Sequence, residues 1–256
     1  MIAEALLHLA TLPLTSPSHR RFIRSSVSLW SRARRCRKAW AEHERRSQKA
    51  MLEAIADLKQ RRTAVVLGSG LLRDVPIKAL VEAFDTVVLI DLVHLASVRL
   101  SLKARRLGAV RLIERDVSGY DQIEAREPLE PLGFLRQVPY LDFVVSANLL
   151  SQIGRGVQRR LAAEAKGRMP DDTAAVLVEA HLRGLSALAC RTCLVTDIAY
   201  AVIDRTGRTH ERSDLLLGIS PPAAIDRWRW PVAPLGEESK DYQIVHDVIA
   251  SRLSPR

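Results

Sequence analysis

The sequence is poor in cysteine, in lysine and in long apolar runs. Three cysteines, Cys36, Cys190 and Cys193, stand among 256 residues. That is too few for a disulfide framework, and a reduced interior is the expectation. Cys190-Arg-Thr-Cys193 has the spacing of half a metal or redox site. No second pair accompanies it and it opens an apolar strand, so both thiols read as core or boundary residues and no metal is expected. No apolar run reaches the ~18 residues that cross a bilayer, so no membrane span is expected. Met1-Ile2-Ala3-Glu4 puts an acid where a signal peptide wants bases, which argues against secretion and for a cytoplasmic protein. The first forty residues are rich in Arg and Ser and nearly free of acids, as in an organellar transit peptide. A helical pattern continuing without a cleavage-like break places that reading second. Internal repeats and low-complexity tracts are absent.

Lysine supplies only seven of the 39 basic residues. Codon bias accounts for a preference for Arg but not for the formal charge of +10, which invites a nucleic-acid partner. An apolar content of 47% is ordinary for a packed core. The length accommodates one large α/β domain with an accessory segment, or two small domains.

Residues 1–60 read as a basic helical extension. Ala3 to Leu12 make a short apolar helix, interrupted at Pro13 and Pro17. From His19 to about Lys59, Phe22, Val27, Trp30, Cys36, Trp40, Met51 and Ile55 recur at helical spacing, with many arginines between them. Such arginines either touch phosphates or form the solvated face of a packed helix; the second reading ranks first.

Residues 61–256 alternate strand and helix, which predicts a mostly parallel sheet with helices on both faces. The expected strands are Ala64–Leu67, Thr86–Ile90, Ala109–Glu114, Tyr140–Ser146 and Thr192–Thr196. Helices are expected over Val75–Phe84, His94–Leu107, Leu149–Ala165 and from an N-cap at Asp171 to Leu188. Ala199–Asp204 and Thr209–Leu217 look like an antiparallel hairpin, Trp228–Pro234 like a loop, and Asp241–Ile249 like a last strand.

The stretch Val66-Leu67-Gly68-Ser69-Gly70 joins a buried strand to a helix through two glycines, where backbone can approach an anionic or sugar-bearing ligand closely. Asp91, at the tip of the next strand, lies 23 positions beyond Gly68, which suits an acid accepting hydrogen bonds from ribose hydroxyls. Each feature also has a plainer explanation. The glycines can serve only a tight turn, Asp91 or Asn148 can cap a helix, and Asp116 can merely turn the chain.

In the order of its elements, Thr63 to Ile249 resembles the class I, Rossmann-like S-adenosylmethionine-dependent methyltransferases, whose parallel sheet is likewise closed by a terminal antiparallel pair. The resemblance implies an S-adenosylmethionine cofactor. It places Gly68, Ser69 and Gly70 along the methionine part, Asp91 and the following Leu92 at the ribose, Asp116 and Val117 at the adenine, and Asn148 toward the transferable methyl. Two positions depart from the family pattern: Val66 stands where an acid is usual, and Leu72 replaces the third loop glycine. A degenerate, nucleoside-binding relative that holds a nucleic acid or protein is the alternative.

Methyl transfer from a sulfonium is an in-line displacement that depends on positioning, with a base where the acceptor must lose a proton. His94, His181, Asp197 and His246 lie near the strand ends, and none is singled out as that base. His181 and His246 are expected first as packed, satisfied histidines. Trp228-Arg229-Trp230 either stacks on a planar acceptor or covers the sheet edge. The acceptor, a small molecule ahead of RNA, carries no signature: there is no Asn-Pro-Pro-Tyr segment, no cysteine pair placed for base methylation and no metal cluster. The oligomeric state is not legible.

Overall fold

The computed structural model describes residues 1–163 and 169–253. Helices α1 (Ile2–Thr11), α2 (Ile23–Arg35) and α3 (Arg37–Ile55) precede an alternating series. It runs β1 (Thr63–Leu67), α4 (Ile77–Ala83), β2 (Thr86–Asp91), α5 (Ala96–Ala104), β3 (Val110–Glu114), α6 (Tyr120–Glu124), β4 (Leu141–Ala147), α7 (Leu150–Ala163), α8 (Thr173–Ser186) and β5 (Arg191–Asp204). Strands β6 (Thr209–Asp214), β7 (Asp226–Ala233) and β8 (Tyr242–Leu253) follow.

All eight strands form one sheet in the order β3-β2-β1-β4-β5-β8-β7, with β6 paired to β5 off that path. Strands β1 to β5 are parallel, whereas β8 runs antiparallel between β5 and β7. Continuous apolar runs suit strands covered on both faces. Ala64 and Val66 of β1 pack with Ile23, Met51 and Leu80 on one side. Val65 and Leu67 pack with Leu150, Leu177 and Val178 on the other. The chain leaves β1 toward β2 on one flank and β4 on the other, so Gly68 sits where the strand order reverses, the place where open α/β sheets bind ligands.

Several expected boundaries move. Trp228–Pro234, expected as loop, lies mostly within strand β7. Pro231 obscured it, because proline lacks a ladder donor; β7 ends the strand path, and edge positions tolerate that loss. The segment Ala199–Asp204 is not a separate strand but the outer half of a continuous β5, bent by an irregularity between Asp197 and Ala199. Helix α8 starts at Thr173 with Asp172, not Asp171, at the cap, and without a side-chain cap bond. Helices α4 and α5 are shorter than their apolar patterns. The expected helix end at Ala165 and the break starting at Gly167 fall outside the described residues. Among those described, no helix is long and apolar enough to cross a membrane.

Candidate functional site

The glycine bend and the β2 acid form one unit. Gly70 N–H donates to Asp91 Oδ2 at 2.7 Å, and Leu92 N–H donates to Asp91 Oδ1 at 2.7 Å. The half-buried carboxylate therefore faces the bend, with lone pairs left on both oxygens. Burial raises its pKa, while the backbone N–H groups of Gly70, Leu92 and Val93 and the nearby His94 oppose that rise.

The two glycines do different jobs. Gly68 has φ +73, and a Cβ there would meet the Ala147 carbonyl oxygen at 2.9 Å and Leu149 Cβ at 3.0 Å. Its role is close packing of the bend against the end of β4. Gly70, at φ +50, would place a Cβ in open space, with only the Gly68 carbonyl at 3.8 Å. Ser69 between them is buried, and its Oγ has no partner. Leu72, at φ 58, keeps a left-handed backbone although it is not glycine.

Asp116 accepts the Ser118 N–H at 2.8 Å in a turn, and Val117 beside it is buried. Both lie just after β3, one strand away from Asp91.

Asn148 caps β4 in a left-handed conformation (φ 48), and its N–H donates to the Val195 carbonyl of β5 at 2.8 Å. Its side chain enters a relay that sequence reasoning missed. The Trp228 indole N–H donates to His43 Nδ1 at 3.1 Å; His43 Nε2 lies 3.2 Å from the Asn148 amide, and Asp74 Oδ2 lies 2.6 Å from the same amide atom. Burial pushes the His43 pKa down to about 3, so the ring is neutral, with Nδ1 accepting and Nε2 carrying the proton. The Asn148 atom facing that proton must be its oxygen, and Asp74 opposite must be a protonated acid donating to the same oxygen. Burial raises the Asp74 pKa in the matching direction. Only the lone Asp in Arg73-Asp74-Val75-Pro76, straight after the bend, hinted at this in the sequence.

Beyond Asn148, Ser151 Oγ donates to Asp197 Oδ1, and His246 Nδ1 lies 2.5 Å from Asp197 Oδ2. All three residues are buried. Burial pushes the Asp197 carboxyl up, but the bonds from His246 and Ser151 hold it below its ordinary value. The other two histidines behave as packed groups. His181 Nε2 lies 3.0 Å from Ser146 Oγ, and burial pushes its pKa down to about 4. His94 Nε2 lies 3.1 Å from the Ile113 carbonyl, and burial lowers its pKa as well.

Trp228 and Trp230 cover the core beneath α3. Trp230 stacks on His43 at 3.9 Å and meets Trp40 edge-on at 5.1 Å. The arginines of α2 and α3 are largely engaged within the chain. Arg35 forks onto Glu237, Arg32 reaches Glu238 and Arg46 pairs with Asp226. Arg34 and Arg37 instead line an open cavity of about 620 Å³ with Glu44 and Arg73, beside the glycine loop. Cys36, Cys190 and Cys193 are buried free thiols, and no group of side chains among the described residues could hold a metal.

No protein-family model matches the chain, and no curated protein does. Solved structures are similar to it only at low identity and low TM-score. The 1,6-didemethyltoxoflavin-N1-methyltransferase of Burkholderia thailandensis, with bound 1,6-didemethyltoxoflavin and S-adenosylhomocysteine, is 19% identical with a TM-score of 0.41, over 90% of this chain and 87% of that one. The N-methyltransferase NodS of Bradyrhizobium japonicum, in complex with S-adenosylhomocysteine, is 12% identical at 0.39, over 81% and 86%. A methyltransferase of Aquifex aeolicus is 10% identical at 0.35, over 79% and 89%. At such values none of them assigns a substrate or a residue role here. The fold itself, a mostly parallel Rossmann-like sheet with helices on both faces and antiparallel strands closing it, is the one that the order of elements predicts.

Proposed function

We propose that this chain is an S-adenosylmethionine-dependent methyltransferase acting on a small molecule. The observation that carries the reading is the Gly70–Asp91 unit at the point where the strand order reverses. Its carboxylate has lone pairs to spare, Gly70 faces open space, and the buried Ser69 Oγ lacks a partner. Such a cradle fits a nucleoside with a charged tail.

In this reading Asp91 accepts the ribose hydroxyls and Leu92 lies under the sugar and base. Val117 walls the adenine and Asp116 accepts from its amino group. Gly68, Ser69 and Gly70 pass the methionine part, and Asn148 stands beside the reacting methyl. The cofactor supplies an electrophilic methyl group; the chain supplies position and the exclusion of water. Residues 1–60 cover the acceptor side, and residues 61–256 form the catalytic domain. RNA is not the preferred acceptor, because Arg32, Arg35 and Arg46 are already neutralised within the chain. Three buried free thiols suit a reducing compartment such as the cytoplasm.

Titration calorimetry with S-adenosylmethionine and S-adenosylhomocysteine tests the reading. Binding of both at one site is expected. Absence of binding by the wild-type protein would remove the enzyme and leave a nucleoside-fold binding protein.

A further inference from the structure

The Ser151–Asp197–His246 group lies outside the cofactor cradle and has the build of a proton-transfer site. Adjacency is fixed by backbone: Gly68 presses on Ala147, Asn148 bonds to Val195, and Asp197 follows two residues on. The group therefore sits next to the position assigned to the methyl. The hydroxyl of Ser151 is held by the carboxylate and not by the imidazole, so this is not the arrangement of an activated serine. Instead, His246 Nδ1–H donates to the Asp197 carboxylate, which fixes the tautomer whose Nε2 lone pair is free. Nε2 has no hydrogen-bond partner among the described residues, yet it is not one of the sealed, unpartnered polar atoms. It keeps access to solvent, unlike the orphaned Nδ1 atoms of His94 and His181. The ring is set between Trp230 and Tyr200, at 5.9 and 6.1 Å.

We infer that His246, oriented by Asp197, is the general base of the transfer, and that the acceptor is a hydroxyl or N–H compound that must lose a proton. This rests on the methyltransferase reading. Nε2 takes the acceptor's proton as the acceptor lone pair forms its bond to the methyl carbon, and the carbon–sulfur electron pair departs with sulfur. The imidazolium so formed is paired with the Asp197 carboxylate, and its proton passes to solvent.

Three measurements test this. First, diethyl pyrocarbonate followed by peptide mass spectrometry should modify His246 in the native protein while His43, His94 and His181 stay protected; a protected His246 overturns the proposal. Second, His246→Gln and Asp197→Asn should bind S-adenosylmethionine with unchanged affinity. Loss of binding in both variants, with folding intact by circular dichroism, would place the pair in the cofactor site and overturn the base. Third, transfer of tritiated methyl from S-adenosylmethionine to a small-molecule cell extract should fall on the order of 100-fold in His246→Gln; transfer at the wild-type rate overturns the assignment. If wild type fails to bind the cofactor, the methyltransferase reading falls, an outcome distinct from a protected His246.

Discussion

Gly70 N–H and the Asp91 carboxylate meet at 2.7 Å although the residues stand 21 positions apart. The bend after β1 and the tip of β2 are thereby locked into one shape before any ligand arrives. Removing the acid does two things at once. Asp91→Ala leaves the Gly70 and Leu92 donors without their acceptor, which costs about 1–3 kcal/mol for each one left buried. It should also weaken S-adenosylmethionine by about 1–3 kcal/mol through lost charged hydrogen bonds. Urea unfolding and calorimetry separate the two losses, and an unchanged affinity would show that Asp91 does not hold the sugar.

The loop glycines should answer differently to alanine. At Gly68 the new Cβ would sit 2.9 Å from a backbone oxygen that cannot retreat, on top of the left-handed backbone cost. Gly68→Ala should lose about 2–4 kcal/mol in urea unfolding. Gly70→Ala has room for its methyl and should lose only about 1 kcal/mol. Its methyl occupies the ligand side, so cofactor affinity should fall more than stability does. Equal stability losses would mean that the bend does not pack on Ala147 as described.

Asp74 is assigned a proton by the hydrogen-bond count through Trp228, His43 and Asn148. Asparagine reproduces that donor, so Asp74→Asn should unfold within about 1 kcal/mol of wild type. A loss of about 3 kcal/mol or more would indicate an ionised partner. The pH dependence has a definite sign. With the folded pKa above 3.8, the acid's contribution is whole below 3.8 and declines as pH rises toward the folded value. The variant should therefore gain on wild type as pH rises through that window.

His181 makes the opposite prediction. Its pKa falls from 6.5 to about 4 on folding, so the unfolded chain binds the proton first and acid destabilises the protein. Between pH 6.5 and about 4 this residue should contribute up to about 1.4 kcal/mol of lost stability per pH unit. His181→Gln can keep a bond to Ser146 and should flatten the profile in that window. His43, depressed to about 3, leaves a residual slope of the same sign in the variant.

Local pattern was enough for the parallel half of the sheet. Buried apolar runs, the glycine turn and the terminal acid are all written within a few residues of one another, so β1, β2 and the bend were legible. The edge strand β7 was not, because Pro231 masks a pairing that only the position at the edge permits. The sequence also left two explanations of each glycine open, and tertiary contacts divided them: packing for Gly68, open space for Gly70.

What the chain carried by itself was the order of its elements and the residue types at the strand tips, since both follow from short-range periodicity and spacing. What needed three dimensions was the company those residues keep. His43 reaches Asn148 across 105 positions, and His246 reaches Asp197 across 49. Proton placement on Asp74 and His246 depends on such distant partners, because a buried titratable group takes its state from whichever donors and acceptors the fold sets beside it.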